Sequence, residues 1–202
     1  MDFRRTFRSA AVTFVDLVGR VPADRLDGPG LGSWTLRELI GHTASSGLEQ
    51  VPGVLGSRSD AVNVEAAEGY FAFVRDVPAN VLAAAIAASG DDARRATAFL
   101  DSAGELAGRA TQALAAVADD DVVTTPVGGM RVRDWLPTRT FELVVHGSDV
   151  AAAADVPVEF DPAVVSEATL LAARVAVALG DGPVVLSALT GRSSLPEKFS
   201  VV

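Results

Sequence analysis

The chain has 202 residues, no cysteine and a formal net charge of -9. The lack of cysteine excludes disulfides, thiolate metal ligands and a cysteine nucleophile, and the negative charge disfavours nucleic acid and anionic lipid surfaces as partners. No uncharged apolar stretch approaches the roughly 20 residues that a membrane-spanning helix needs, and charges interrupt the N-terminal segment where a signal peptide would be apolar. We therefore expect a cytoplasmic protein with a buried core.

Apolar residues at three- and four-residue steps predict a first helix over residues 2–19. A stretch rich in glycine and proline follows. Thr35 and Glu38 then have the spacing of a capping box, in which each side chain accepts a hydrogen bond from the other residue's backbone N–H. This pair predicts the start of a second helix, which carries His42.

The middle of the chain has a weaker pattern. Residues 52–60 are predicted to form a loop, and residues 63–89 one or two short helices interrupted near Pro78. Helical periodicity returns over residues 91–118, which we predict to be the longest helix.

β-branched residues followed by a glycine pair predict a short hairpin over residues 122–132. A further helix is expected from residue 133 or 134 to about Ala154, provided that Pro137 lies in its first turn. Residues 164–179 form another apolar helix, and a short helix and tail complete the chain.

These elements predict an all-α fold. Four longer amphipathic helices indicate a four-helix bundle over residues 1–156, with a short C-terminal helix and tail over residues 157–202 packing on it. The region 122–132 would add a small hairpin to this bundle.

The chain contains two histidines, and one of them, His146, follows Glu142 by four residues on a predicted helix. Their side chains therefore share a face and can bind one ion. A second helix can supply the third ligand, for which His42 is the available histidine. Two histidines and a glutamate leave coordination positions open, as in catalytic zinc sites. The sequence thus predicts one divalent metal ion, zinc in the first instance.

A less specific interpretation uses the same residues. Arg139, Glu142, His146 and Asp149 form a polar stripe, which on spacing alone is better explained as a solvated helix face with an internal ion pair. Against this, the stripe is narrow and flanked by apolar side chains, and an enclosed polar stripe needs partners. Asp149 would then orient a metal ligand, and Arg139 would bind an anionic group of the substrate. Alternatively, each of the two forms an ordinary ion pair.

A second metal ion is also conceivable, because Glu38 and His42 repeat the spacing of Glu142 and His146. Di-iron bundles, however, use Glu and His three residues apart with further carboxylates. The capping box already accounts for Glu38. We therefore predict a single ion.

Two sequence blocks resemble a known family. Residues 33–42, SWTLRELIGH, resemble the tryptophan-to-histidine motif of mycothiol-dependent maleylpyruvate isomerase-like proteins, which belong to the DinB-like helical superfamily. Residues 139–149, RTFELVVHGSD, are similar to that family's arginine, glutamate, histidine-glycine and aspartate signature. The resemblance covers roughly residues 1–155 and implies a four-helix bundle that holds zinc at His42, Glu142 and His146.

The resemblance also implies a chemistry. Enzymes of this family use a low-molecular-weight thiol, which is mycothiol in actinobacteria, and the lack of protein cysteine and the arginine-rich composition agree with this. The implied function is that of a zinc-dependent thiol transferase or isomerase acting on an electrophilic substrate. The isomerases carry a sizeable substrate-binding C-terminal domain, whereas only a helix and tail follow Pro157, which argues against maleylpyruvate itself. Arg192 in this tail is a weak candidate for anion binding.

Other functions are compatible with the same residues. The zinc ion could activate water in a hydrolase, or the fold could be a non-catalytic metal-binding or regulatory module. The protein could be a monomer, or a homodimer with the alanine-rich residues 151–154 between chains; intramolecular packing of these alanines is the commoner arrangement.

Overall fold

The computed structural model describes residues 2–76 and 92–201. Helices dominate this part of the chain, and the one sheet has two strands. The helices are, in chain order, α1 (Phe3–Gly19), α2 (Leu36–Ala44), α3 (Gln50–Gly56), α4 (Ala67–Asp76), α5 (Asp92–Leu114), α6 (Val132–Ala154), α7 (Pro162–Ala178) and α8 (Gly182–Leu189). The strands are β1 (Val122–Thr125) and β2 (Gly128–Arg131). The predicted predominance of helix and the predicted hairpin are both confirmed.

The first helix begins where its capping residue predicts. The carboxylate of Asp2 accepts hydrogen bonds from the backbone N–H groups of Arg4 and Arg5, which satisfies two of the donors that a helix start leaves unpaired. Phe7 and Phe14 are fully buried on the inner face of α1. The spacing of apolar residues thus identified the face of this helix that packs in the core.

The capping box that opens α2 is also confirmed. Oγ1 of Thr35 accepts from the N–H of Glu38 at 3.2 Å, and Oε2 of Glu38 accepts from the N–H of Thr35 at 2.8 Å. These bonds stabilise the start of the helix that carries His42. They also engage the Glu38 carboxylate, so a role for it as a second metal ligand has no support.

The chain beyond α2 departs from the prediction. A π-helix, Ser45–Glu49, continues directly from α2 and leads into α3, so the loop predicted over residues 52–60 is wrong for its first half. Pro52 is the third residue of α3 and donates no N–H to the helical turn before it. Apolar periodicity cannot reveal a π-helix, since its i→i+5 hydrogen bonds shift the helix face locally.

The middle helices are confirmed with shifted ends. The helix α4 begins at Ala67 rather than at residue 63, and the break predicted near Pro78 lies outside the described residues. The helix α5 has 23 residues and a non-helical residue, Ser102, at a kink. We predicted that α5 would be the longest helix. This is wrong, since α6 also has 23 residues.

Strand β2 runs directly into α6, which starts one residue earlier than the sequence indicated. Pro137 is the sixth residue of this helix, so the expectation that it would lie in the first turn is wrong. Because proline has no N–H, the carbonyl of Arg133 lacks its usual helical partner. Two residues further on, the carbonyl of Trp135 accepts a hydrogen bond from Oγ1 of Thr138 at 2.6 Å.

The helix α6 packs against α1, α2, α4 and α7. The helix α7 packs against α1, α4 and α6, and α8 packs against α7. The division at residue 156 and the four-helix bundle stay predictions. Ala151 and Ala154 are buried within the chain itself, so intramolecular packing explains this alanine-rich segment. In the two described ranges, no helix is both long enough and apolar enough to cross a membrane.

Candidate metal centre

The helix α6 places Glu142 and His146 one turn apart on a sheltered face. Their side chains are 16% and 18% exposed, and Nε2 of His146 lies 3.5 Å from Oε2 of Glu142. Phe141 and Leu143, on either side of Glu142, are buried. The polar stripe of α6 is therefore not an ordinary solvated face.

The helix α2 brings His42 to the same place. The imidazole rings of His42 and His146 meet edge to face, with centroids 5.3 Å apart. One donor atom each from His42, Glu142 and His146 lies within 4.8 Å of the other two. Packing of α2 against α6 thus brings together the three side chains that the sequence proposed as ligands.

The three side chains fit a divalent metal ion. Bonds of about 2.0 to 2.2 Å keep two ligands on one zinc ion at most about 4.3 Å apart. The donor atoms all lie within 4.8 Å of one another, which is close to that limit. Two imidazole nitrogens and a carboxylate oxygen suit zinc and other first-row divalent ions.

Asp149 contacts one of these imidazoles. Its Oδ2 lies 3.1 Å from Nδ1 of His146. A carboxylate only accepts hydrogen bonds, so this contact favours the tautomer that carries its proton on Nδ1. Nε2, the ring nitrogen on the Glu142 side, then carries no proton, as binding of a metal ion by this nitrogen requires.

The indole of Trp34 covers the third side chain. Its centroid lies 4.7 Å from the His42 ring, and the residue is half-buried in the segment just before α2. An apolar ring beside an imidazole limits access of water. We predicted no role for Trp34, although it lies eight residues before His42 in the same sequence motif.

The π-helix and α6 approach each other closely beside the site. A Cβ atom on Gly47 would lie 2.5 Å from Cδ2 of Leu143, which is too near for any side chain unless a neighbour moves. Glycine therefore permits the close packing of the segment after His42 on the helix that carries Glu142.

Arg139 lies one turn before Glu142 but is only 1% exposed. Its guanidinium donates to the carbonyl of Ser46 and to Oγ1 of Thr138, and it packs over the ring of Tyr70 with 4.7 Å between its carbon and the ring centroid. Within residues 2–76 and 92–201, Nη2 has no hydrogen-bond partner. The residue that we considered for anion binding is thus buried among protein groups.

A cavity of about 460 Å³ adjoins the candidate ligands. Its lining residues are Leu31, Phe141, Glu142, Val145, His146, Asp149 and Ser200. This volume lies within the range of small-molecule sites. Leu31 and Ser200 were not predicted to line the site, because no local sequence pattern relates them to α6. Arg192 is exposed, donates to the carbonyl of Thr190 and does not line this cavity.

Residues 7–151 match the family model described as the mycothiol maleylpyruvate isomerase N-terminal domain. The chain belongs to this family. The mycothiol maleylpyruvate isomerase N-terminal domain family is DinB-like, so the resemblance carried by residues 33–42 and 139–149 is confirmed. His42, Glu142 and His146 all lie inside the matched range, and α7, α8 and the tail lie outside it. No curated protein and no solved structure matched the chain.

Proposed function

We propose that this family member is a metal-dependent thiol transferase or isomerase that uses a low-molecular-weight thiol of the mycothiol type. The observation that carries the proposal is the convergence of His42 with Glu142 and His146 beside a cavity large enough for a small molecule. Membership of a mycothiol-related family supports the thiol. The chain has no cysteine, so the reacting thiol would come from a cosubstrate.

In this proposal His42, Glu142 and His146 bind one zinc ion and leave coordination positions open towards the cavity. When bound, zinc would supply Lewis acidity that lowers the pKa of a coordinated thiol. Asp149 holds His146 in the orientation for binding, and Trp34 limits water on the His42 side.

The shape of the cavity supports the binding of an electrophilic substrate. Phe141 and Val145 contribute apolar surface next to Glu142 and His146. An apolar wall beside the ligands keeps water away from a thiolate and leaves room for a small carbon electrophile.

Two rival functions use the same residues. A hydrolase would require only a metal-bound water, and a regulatory module would require no substrate at all. The module predicts an occluded site, so the cavity beside Glu142 and His146 favours an enzyme.

Metal analysis tests the proposed ligands. The purified wild-type protein is expected to contain close to one zinc ion per chain, and His42→Ala, Glu142→Gln and His146→Ala should each lose it. Glu159→Gln is the matched control, because Glu159 is exposed outside the site. A wild-type protein that stays metal-free after dialysis against zinc would refute the metal centre.

Thiol dependence then separates the three functions. The zinc-loaded protein is mixed with a reactive electrophile, with and without mycothiol. Thiol-dependent turnover that is lost in His146→Ala supports the proposal. Turnover without thiol indicates a hydrolase, and no turnover with a panel of electrophiles indicates a binding module.

A further inference from the structure

The C-terminal tail contributes a wall to the cavity beside the candidate metal ligands. Ser200 lines this cavity together with Glu142, His146 and Asp149 of α6. Leu31, from the segment before α2, lines it as well. The cavity is thus formed by α6, the segment before α2 and the tail.

A turn directs the tail to this position. The N–H of Phe199 donates to the carbonyl of Pro196 at 3.1 Å, and Lys198 adopts a left-handed conformation with φ of 59°. Such a backbone conformation is uncommon for a residue other than glycine and marks a sharp change of direction. The chain therefore reverses just before Ser200.

Val201 anchors the tail beyond the turn. Its side chain is half-buried and packs against the hydrophobic core, whereas residues 191–198 are exposed. Phe199 is also half-buried, and Ser200 between them is exposed. A segment with so few buried contacts opens at a small free-energy cost.

The tail lies outside the match to the family model. The match ends at residue 151, and Ser200, which lines this side of the cavity, lies beyond it. The match covers the three candidate ligands but not Ser200. The tail therefore adds to the site a residue that the family match does not include.

We propose that residues 199–201 form a strap across the candidate metal site, and that Ser200 limits the size of the molecules that reach His146. The closed strap leaves the cavity of about 460 Å³, and opening at Val201 admits larger molecules. The identity of the molecule that enters the cavity rests on the proposed function, whereas the strap itself does not.

Chemical modification of histidine tests the strap directly. The chain has two histidines, and both belong to the candidate site. Diethylpyrocarbonate modifies accessible imidazoles, and the ultraviolet absorbance of the product gives the rate. In metal-free protein the rate of modification therefore reports how readily the reagent reaches the two histidines of the candidate site.

Val201→Asp places a charge on the anchor and should release the strap. We expect modification to accelerate about fivefold, which corresponds to the loss of about 1 kcal/mol of closing free energy. Leu195→Asp introduces the same charge at an exposed position in the same tail and should leave the rate unchanged. Ser200→Trp, which enlarges the side chain at the cavity wall, should slow the reaction.

Circular dichroism and thermal unfolding verify that each variant is folded. If Val201→Asp is unfolded, a chain that ends at Lys198 removes the strap without placing a charge in the core. Equal rates for wild type and the released variant would overturn the proposal, as would equal acceleration by Leu195→Asp. The experiment uses metal-free protein, so its outcome is independent of whether the site binds zinc.

Discussion

Nη1 of Arg139 donates a hydrogen bond to the carbonyl oxygen of Ser46 at 3.0 Å. This bond joins α6, one turn before Glu142, to the π-helix that follows His42. The same carbonyl accepts from Nε2 of Gln50 at 2.6 Å. Arg139 thus connects the two parts of the chain that supply the candidate ligands.

Arg139→Met is expected to weaken zinc binding about tenfold. This is the lower end of the loss in metal affinity when a residue that orients a metal ligand is replaced. The unfolding free energy should also fall by about 1 to 3 kcal/mol, because the substitution removes buried hydrogen bonds. Isothermal titration calorimetry and denaturant unfolding measure the two effects. Arg133→Met is the control on the same helix, since Arg133 makes an ion pair with Asp120 at the surface. Wild-type zinc affinity in Arg139→Met would remove the positioning role.

Asp149→Asn tests the orientation of His146. The amide can donate to Nδ1 and so no longer selects the tautomer that leaves Nε2 free. We expect zinc affinity to fall about 10- to 100-fold, with little change in thermal stability. The exposed Asp16→Asn serves as control. Unchanged affinity in Asp149→Asn would mean that the contact is an ordinary surface pair.

Gly47→Ala tests the close packing of the π-helix on α6. The added methyl group would overlap Leu143, so we expect a loss of about 1 to 3 kcal/mol in unfolding free energy. Gly53→Ala in α3 is the matched control, because nothing lies within 4 Å of its added Cβ. The control should be neutral or stabilising, since alanine favours a helix by about 0.5 to 1 kcal/mol. Leu143→Ala removes the side chain that the new methyl group would overlap, so Gly47→Ala should cost less in a Leu143→Ala background than in the wild-type protein.

Glu167 predicts a pH dependence of stability. Burial raises the pKa of this carboxyl above its ordinary value of 4.5, against the opposing effect of the hydrogen bond from Thr6. A raised pKa in the folded state means that the fold binds a proton more tightly than the unfolded chain does. The contribution of Glu167 is therefore most favourable below pH 4.5 and is lost as pH rises through the higher folded pKa.

Glu167→Gln should raise the unfolding temperature at neutral pH, because the amide carries no charge to bury. The gain over wild type should shrink as pH falls towards 4.5 and below. Thermal unfolding across this range measures the difference, and the exposed Glu159→Gln should show no such trend. A gain that is independent of pH would show that charge is not the cause.

Local patterns predicted what depends on neighbours in the sequence. The capping box of Thr35 and Glu38, the hairpin and the helix with Glu142 and His146 all arise from contacts within a few residues. The π-helix was missed because apolar periodicity does not reveal it, and the close fit of Gly47 against Leu143 is a contact between distant segments.

The sequence by itself determined that Glu142 and His146 share a helix face, and that any thiol chemistry needs an external thiol. Only the tertiary structure decided that His42 reaches this face, that Arg139 is buried beside it and that Ser200 joins the cavity. The physical reason is that helix periodicity fixes neighbours one turn apart. The meeting of α2, α6 and the tail depends instead on the packing of side chains that are far apart in the chain.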